Sequence, residues 1–523
     1  MTIPFVPRRQ RQSWLAAFLA ALVLASSSCV RNPQVTFPDP LEAHGEGTHL
    51  PRAAPSEVGV DAGPLERMLH YLTSTKTNVH AILVLRHGKL ILEAYAYPHR
   101  ATDRHALYSC TKSVTSIITG IAIADGLIPG VEARVVDLFP ERKIAGRDGP
   151  KGAVTLRDLL TMQGGFDWNE WPYSGPDNSL DAMVASADPT QYVLDRPMRF
   201  EPGKAFNYNT GSSQLIGAVV QQRTGKKLAA FAQEKLFGPL GIADFSWYAL
   251  RDGSSWGGTG LQLRPEDMAK LGQLYLDHGT WQGKQLVPAS WVAESTTKFT
   301  PKWDANSFPI GYGYQWWMTE QGYTALGSGG QAILVNPAQD LVAVVVSSLE
   351  DSSATGAIGI LLDLYVAPAV RDGGSPGADE KLRAAIAAFE RKPEAKPIAL
   401  PAVARSVSGA SFALEDGSRF SIAYTDGSEA VATFSSPKGS CTFPIGLDGV
   451  PRVSACDPSW PWRGPAAFTG WFEGDVLLVR HAAIDAGNEF IYRMEMSEDR
   501  MELSGIARYN GAVVYRTRGK RER

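Results

Sequence analysis

Residues 79–85 and 90–97 are apolar with little alternation, and His87-Gly88-Lys89 stands between them. Unbroken apolar runs of this length read as strands covered on both faces, and the turn residues between them predict a hairpin. A second pair of runs, 331–335 and 341–346, flanks Asn336-Pro337 and predicts another hairpin of the same sheet. The period then differs in the stretch after residue 109. Val114, Ile117, Ile118 and Ile121 recur at helical spacing and Gly126 supplies a stop, which predicts a buried helix with Ser109 at its N-terminus. The expected fold class is therefore α/β, an antiparallel sheet flanked by helices.

Mixed helical and loop sequence occupies 155–301, where Trp168, Trp171 and Trp247 fit core positions better than a pocket lining. After residue 370 the pattern changes. Residues 371–377 read as a loop, 379–391 as a short helix, and Pro393, Pro397 and Pro401 as linker. Short alternating runs follow at 420–424, 476–479 and 512–515, with turns between them, and predict a small C-terminal antiparallel β domain, sandwich or barrel. The division expected is 1–29 signal peptide, 30–56 extended tether, 57–370 main domain, 371–399 linker with a short helix, and 400–523 C-terminal β domain.

A chain of 523 residues exceeds one ordinary core, which agrees with two domains and a leader. Lys plus Arg number 51 against 54 Asp plus Glu, so there is no positive field to draw nucleic acid, and no nucleic-acid partner is expected. Arg8, Arg9 and Arg11 precede an apolar run over 14–25, the pattern of an export signal and too short to span a bilayer. Cys29 directly follows Ser26-Ser27-Ser28 and resembles the lipid-attachment site of bacterial lipoproteins, although Ser26 stands where Leu is more usual. The expectation is an exported protein, periplasmic or membrane-anchored through lipid on Cys29, with plain cleavage nearby as the alternative. Cys441 and Cys456 are close enough in sequence to close a short loop in an oxidising compartment, leaving Cys110 as a buried filler.

Ser109 and Lys112 lie one helical turn apart, so they share a face and can touch. A partly desolvated amine in that place can take the serine proton without any histidine. The helix N-terminus adds partial positive charge and free N–H groups for a developing oxyanion. The plain alternative is that Ser109 only caps the helix. Tyr208 stands on a loop before a further helix expected near Ser212, placed to carry a proton or merely to pack. Gly327-Ser328-Gly329-Gly330 leads into a strand, where backbone can approach a ligand closely. A rival serine, Ser255, is the middle residue of Gly253-Ser254-Ser255-Trp256-Gly257, formally a nucleophile elbow, but its polar, glycine-rich surroundings lack the strand and helix that an elbow needs. The nine His residues include no pair at helical ligand spacing, and no metal is expected.

Ser109-Cys110-Thr111-Lys112-Ser113, the Pro202-Gly203 approach to Tyr208-Asn209-Thr210, and Gly327-Ser328-Gly329 before a strand resemble, in that order, the three motifs of the serine β-lactamase and penicillin-recognising superfamily. Within it the chain is most similar to class C β-lactamase-like esterases and amide hydrolases, including 6-aminohexanoate-dimer hydrolases, over roughly residues 57–365. Residues 159–165, 257–261 and 311–317 also match. The resemblance implies a DD-peptidase-like sheet with a helical subdomain, and acylation followed by hydrolysis without metal or cofactor. It implies that Ser109 is acylated, that Lys112 and Tyr208 handle protons, and that backbone N–H groups of Ser109 and Ser328 hold the oxyanion. Two positions depart from the pattern. Gly327 stands where Lys or His is usual, and Thr210 where Asn is usual. The expected substrate is therefore an ester or small linear amide; a β-lactamase or D-amino-acid peptidase is the enzyme alternative, and a non-catalytic peptidoglycan- or partner-binding module the alternative of another class.

Overall fold

Seven antiparallel strands form the central sheet of the computed structural model, which describes residues 38–170, 177–300, 309–349, 351–371, 374–437, 439–455, 464–485, 487, 489–507 and 513–522. Their order across the sheet is Lys89–Tyr95, Val79–Arg86, Leu341–Ser347, Gln331–Asn336, Gly322–Gly327, Trp317–Thr319 and Gly311–Tyr312. Both expected hairpins are present and meet where Val344 pairs with Leu83. Alternate side chains enter different cores. Leu83, Leu85, Ile333, Val342 and Val344 pack on the face that carries the helix Cys110–Ala124. Ile82, Val84, Leu334, Ala343 and Val345 pack on the other, with the helices Ala62–Thr75 and Pro376–Phe389. Two covered faces explain why these strands carry no polar alternation.

The helix Thr210–Thr224 shares the core of Cys110–Ala124 through Leu215, Ile216 and Val219, and shorter helices such as Leu156–Leu160 and Pro189–Asp195 complete a helical layer beside it. A four-stranded sheet, ordered Leu41–Ala43, Phe245–Trp247, Leu261–Leu263 and His105–Ala106, delivers the chain to Ser109.

Two segments read as connectors are packed structure. Part of the expected tether pairs as a strand, Leu41 opposite Trp247. Leu50 is buried, and its N–H and the guanidinium of Arg52 both donate to Glu266. Two apolar anchors suffice there, although polar residues and prolines dominate the composition. The expected linker helix runs from Pro376 to Phe389 and buries Leu382 and Ala385 against the sheet's outer helix, so it belongs to the core rather than joining domains.

Ten antiparallel strands between Ala410 and Arg521 form the C-terminal domain. The last strand, Val513–Arg521, pairs with the first, Ala410–Leu414, and Gly446 meets Thr469, which closes the sheet into a barrel. Phe412, Phe420, Phe443, Phe468, Leu477, Met494 and Leu503 fill it. Closure removes the edge strands that a sandwich would expose. Cys441, on the strand Gly439–Gly446, is disulfide-bonded. Cys456, Cys29 and the leader, Trp171 and Ala512 lie outside the described residues.

Candidate active site

The first turn of the helix Cys110–Ala124 carries the chemistry. Tyr108 adopts φ of 46°, a left-handed conformation that turns the chain into the helix at Ser109. The Ser109 side chain makes no capping hydrogen bond. Its hydroxyl is instead met by Lys112, whose Nζ donates to Ser109 Oγ at 3.0 Å and to the Gly258 carbonyl at 2.9 Å. Lys112 is 1% exposed. Burial lowers its pKa from the usual 10.5 to about 8, against an opposing pull from the Glu170 carboxylate. An amine so placed is partly neutral near neutral pH, and its lone pair then points at a hydroxyl.

Tyr208 lies on the loop before the helix Thr210–Thr224, which begins two residues earlier than expected because Asn209 caps it through Oδ1 to the Ser212 N–H. Lys112 Nζ sits 5.0 Å from the Tyr208 ring centre. The loop is fixed by the Asn207 N–H on the Met162 carbonyl at 2.9 Å and by Asn207 Nδ2 on the Trp168 carbonyl at 3.1 Å. Tyr208 stacks on Trp317 at 5.7 Å, Tyr312 meets Trp317 edge-on at 4.6 Å, and Phe206 meets Tyr312 at 5.4 Å. Half-buried Phe206, Tyr208 and Trp317 thus form an aromatic wall beside the serine.

The turn from Gly327 to Gly330 joins two central strands. Its carbonyls are taken up behind it: Gln331 Nε2 donates to Ser328, the Leu349 N–H to Gly329, and Ser347 Oγ to Gly329 and Gly330. A Cβ placed on Gly327 would stand 2.3 Å from the Leu107 carbonyl oxygen. That contact sets the turn against the segment leading to Ser109. It also gives a physical reason why the expected cation is missing, because no side chain fits there without displacing one of the two backbones.

Two residues were given no role by the sequence reading. Glu170 is buried and accepts hydrogen bonds from Trp168 Nε1 at 2.7 Å, the Thr210 N–H at 3.0 Å and Thr210 Oγ1 at 3.0 Å. The Thr210 hydroxyl, at the position usually held by Asn, is thereby committed to Glu170. Gln315 ties three matching stretches together. Its carbonyl accepts from Ser113 Oγ at 2.6 Å, its side-chain oxygen from Ser213 Oγ at 2.6 Å, and its amide donates to Leu160 at 2.9 Å. Neither residue lies on a periodic pattern; Gln315 falls in the matching stretch 311–317, and for Glu170 the only sequence signal was polarity inside aromatic surroundings.

The competitors fare differently. Cys110 is fully buried with its thiol on the Gln331 carbonyl at 3.5 Å, and burial pushes its pKa up, so it fills space as expected. Ser255 is buried, and its Oγ accepts the Ala229 N–H at 3.3 Å, so it ties two backbones together rather than facing a cleft.

An antiparallel sheet with the Ser109 helix on one face and this ordered trio of segments at one end defines a serine hydrolase with a penicillin-recognising fold. The beta-lactamase family profile matches residues 69–366, more than half of the chain, and the chain belongs to that family. It is 28% identical over 313 residues to the 6-aminohexanoate-dimer hydrolase of Paenarthrobacter ureafaciens, covering 55% of this chain and 78% of that protein. It is 28% identical over 183 residues to the esterase EstB of Burkholderia gladioli, covering 31% of this chain and 45% of that one. Among solved structures, a penicillin-binding protein homolog from Caulobacter crescentus superposes with a TM-score of 0.50 at 16% identity, over 62% of this chain and 100% of its own. That last likeness concerns the fold alone.

Proposed function

We propose that this protein hydrolyses an uncharged ester or small linear amide through an acyl-enzyme on Ser109. The observation that carries this is the Lys112 amine, buried and 3.0 Å from Ser109 Oγ. In the first half-reaction neutral Lys112 takes the Oγ proton while Oγ attacks the carbonyl carbon. The oxyanion is held by the N–H groups of Ser109 and Ser328. On collapse the leaving alcohol or amine receives a proton by way of Lys112 and Tyr208, and water then repeats the sequence to release the acid.

Support for the substrate class comes from the wall of Phe206, Tyr208, Tyr312 and Trp317 and from the absence of a side chain at Gly327, which leaves a substrate carboxylate without a cation at that point. The names of the esterase and dimer-hydrolase relatives agree. Turnover of p-nitrophenyl esters, a linear amide and nitrocefin tests it. Ester or amide turnover that far exceeds nitrocefin turnover is expected; preferential nitrocefin hydrolysis contradicts the inference from Gly327. Export and lipidation at Cys29 are proposed with it, on the basic residues and apolar run that precede Cys29. Membrane fractionation unchanged by Cys29→Ala contradicts the anchor.

A further inference from the structure

We propose that the C-terminal barrel is a working part of the hydrolase: its Gly487 is a common abutment for the two backbone segments that carry the oxyanion donors. This rests on Ser109 being the acylated residue and on the donors being the N–H groups of Ser109 and Ser328.

The first segment is the approach to Ser109. His105 and Ala106 pair with Leu263 and Gln262, and the Leu107 N–H donates to Leu261. The barrel touches both strands of this pair. A Cβ on Gly487 would stand 2.6 Å from His105 Cε1, so the Gly487 backbone lies directly on the imidazole. Gln262 Nε2 donates to the Asp485 carbonyl at 3.2 Å. His105 is buried and presses inward on His80, with 2.9 Å between Nε2 and His80 Nδ1.

The second segment is the backing of the 327–330 turn. Ser347 and Leu349 hold that turn's carbonyls, and Ser348 between them donates its hydroxyl to the Gly487 carbonyl. Asn78 fixes Ser348 further, taking its N–H at 3.0 Å and donating Nδ2 to its carbonyl at 2.9 Å. Asn78 is itself clamped by the barrel, with Nδ2 on Glu489 Oε1 at 2.7 Å and Oδ1 receiving Arg480 at 3.1 Å. Glu489 is buried and paired with Arg480. One barrel segment therefore bears on His105 on one side and Ser348 on the other. The two segments it bears on meet at the Gly327 contact with Leu107. An oxyanion hole built from two separate backbones works only while their spacing is held, and a displacement of about 1 Å costs on the order of 100-fold in rate. Gly487, Glu489 and Asn78 are positioning residues, since none of them touches the reacting atoms.

The test uses the full chain. Gly487→Ala forces a methyl into His105 and lifts the barrel from the first segment; Ser348→Ala removes the bond to the second while leaving packing intact. Each is compared with the unaltered protein and with Ser109→Ala for kcat, KM, pH profile and thermal unfolding on one p-nitrophenyl ester. Expected is a fall in kcat of about tenfold or more for Gly487→Ala and about threefold for Ser348→Ala, with KM and the alkaline rise of the pH profile unmoved. A loss through general loosening instead moves KM and the profile together. If Gly487→Ala fails to fold, Ser348→Ala decides. Full kcat in the folded variants, with Ser109→Ala inactive, overturns the abutment and leaves the nucleophile standing. Persistent activity of Ser109→Ala removes the nucleophile on which both depend.

Discussion

Ser109 and Ser255 both occupy motifs that serine hydrolases use, and they differ in what surrounds the hydroxyl. At Ser109 a fully buried amine donates to Oγ, a left-handed Tyr108 aims the residue, and an aromatic wall stands beside it. At Ser255 the hydroxyl is buried and accepts the Ala229 N–H, and the elbow's strand-to-helix context is absent. A hydroxyl oxygen that accepts a backbone N–H gains nothing as a nucleophile, because that bond draws on the electron pair that would attack. The Lys112 amine has been made available as a base by desolvation, with its pKa near 8. Each serine matches a motif; at Ser109 alone of the two does a buried base meet the hydroxyl.

Breaking the Ser109 side of this comparison has the largest expected effect. Lys112→Met lowers kcat/KM for a p-nitrophenyl ester by about 1000-fold or more with the fold intact by circular dichroism. Retention of a tenth of the activity means that another base serves Ser109. Tyr208→Phe keeps the stack on Trp317 and removes only the phenol hydroxyl, and is expected to cost about 100-fold in kcat, more on an amide than on an ester because an amine is the poorer leaving group. Equal, small losses on both substrates make Tyr208 a packing residue.

A subtler change sharpens the account of Lys112. Activity requires its neutral form, so the rate rises with pH through about 8 and then levels. The Glu170 charge favours the ammonium and so raises the pKa that burial lowers. Glu170→Gln removes that charge, and the rising limb should move to lower pH; a limb that stays or moves upward contradicts the electrostatic link. The smallest effect is expected on the other side of the comparison. Ser255→Ala should lower stability slightly through the lost bond from the Ala229 N–H and leave kcat and KM within about twofold.

The parts of the fold legible in the sequence were those dictated by one local period. The two central hairpins and the Ser109 helix follow from unbroken apolar runs and a helical stripe, and their faces are the two cores observed. Barrel closure was not legible, because pairing the strand Val513–Arg521 with Ala410–Leu414 joins residues about a hundred positions apart and leaves no local mark. The strand at Leu41–Ala43 was hidden by prolines and polar neighbours, and the helix Pro376–Phe389, legible as a helix over 379–391, read as linker because composition averages over the few apolar residues that anchor it. At the candidate site, Ser109, Lys112 and Tyr208 stand together because order along the chain matched a known pattern. Glu170 did not show and Gln315 showed only as part of the stretch 311–317, since the value of both lies in long-range hydrogen bonds. The absence of a cation at Gly327 was readable, but its cause, the Leu107 carbonyl, was not.

The central claim, that Lys112 makes Ser109 the acylated residue, is tested most directly by reaction with a fluorophosphonate followed by peptide mass analysis. One adduct on Ser109 is predicted, forming faster as pH rises through about 8 and lost or slowed about 1000-fold in Lys112→Met. Labelling at Ser255, or labelling of Ser109 at an undiminished rate without Lys112, contradicts the account.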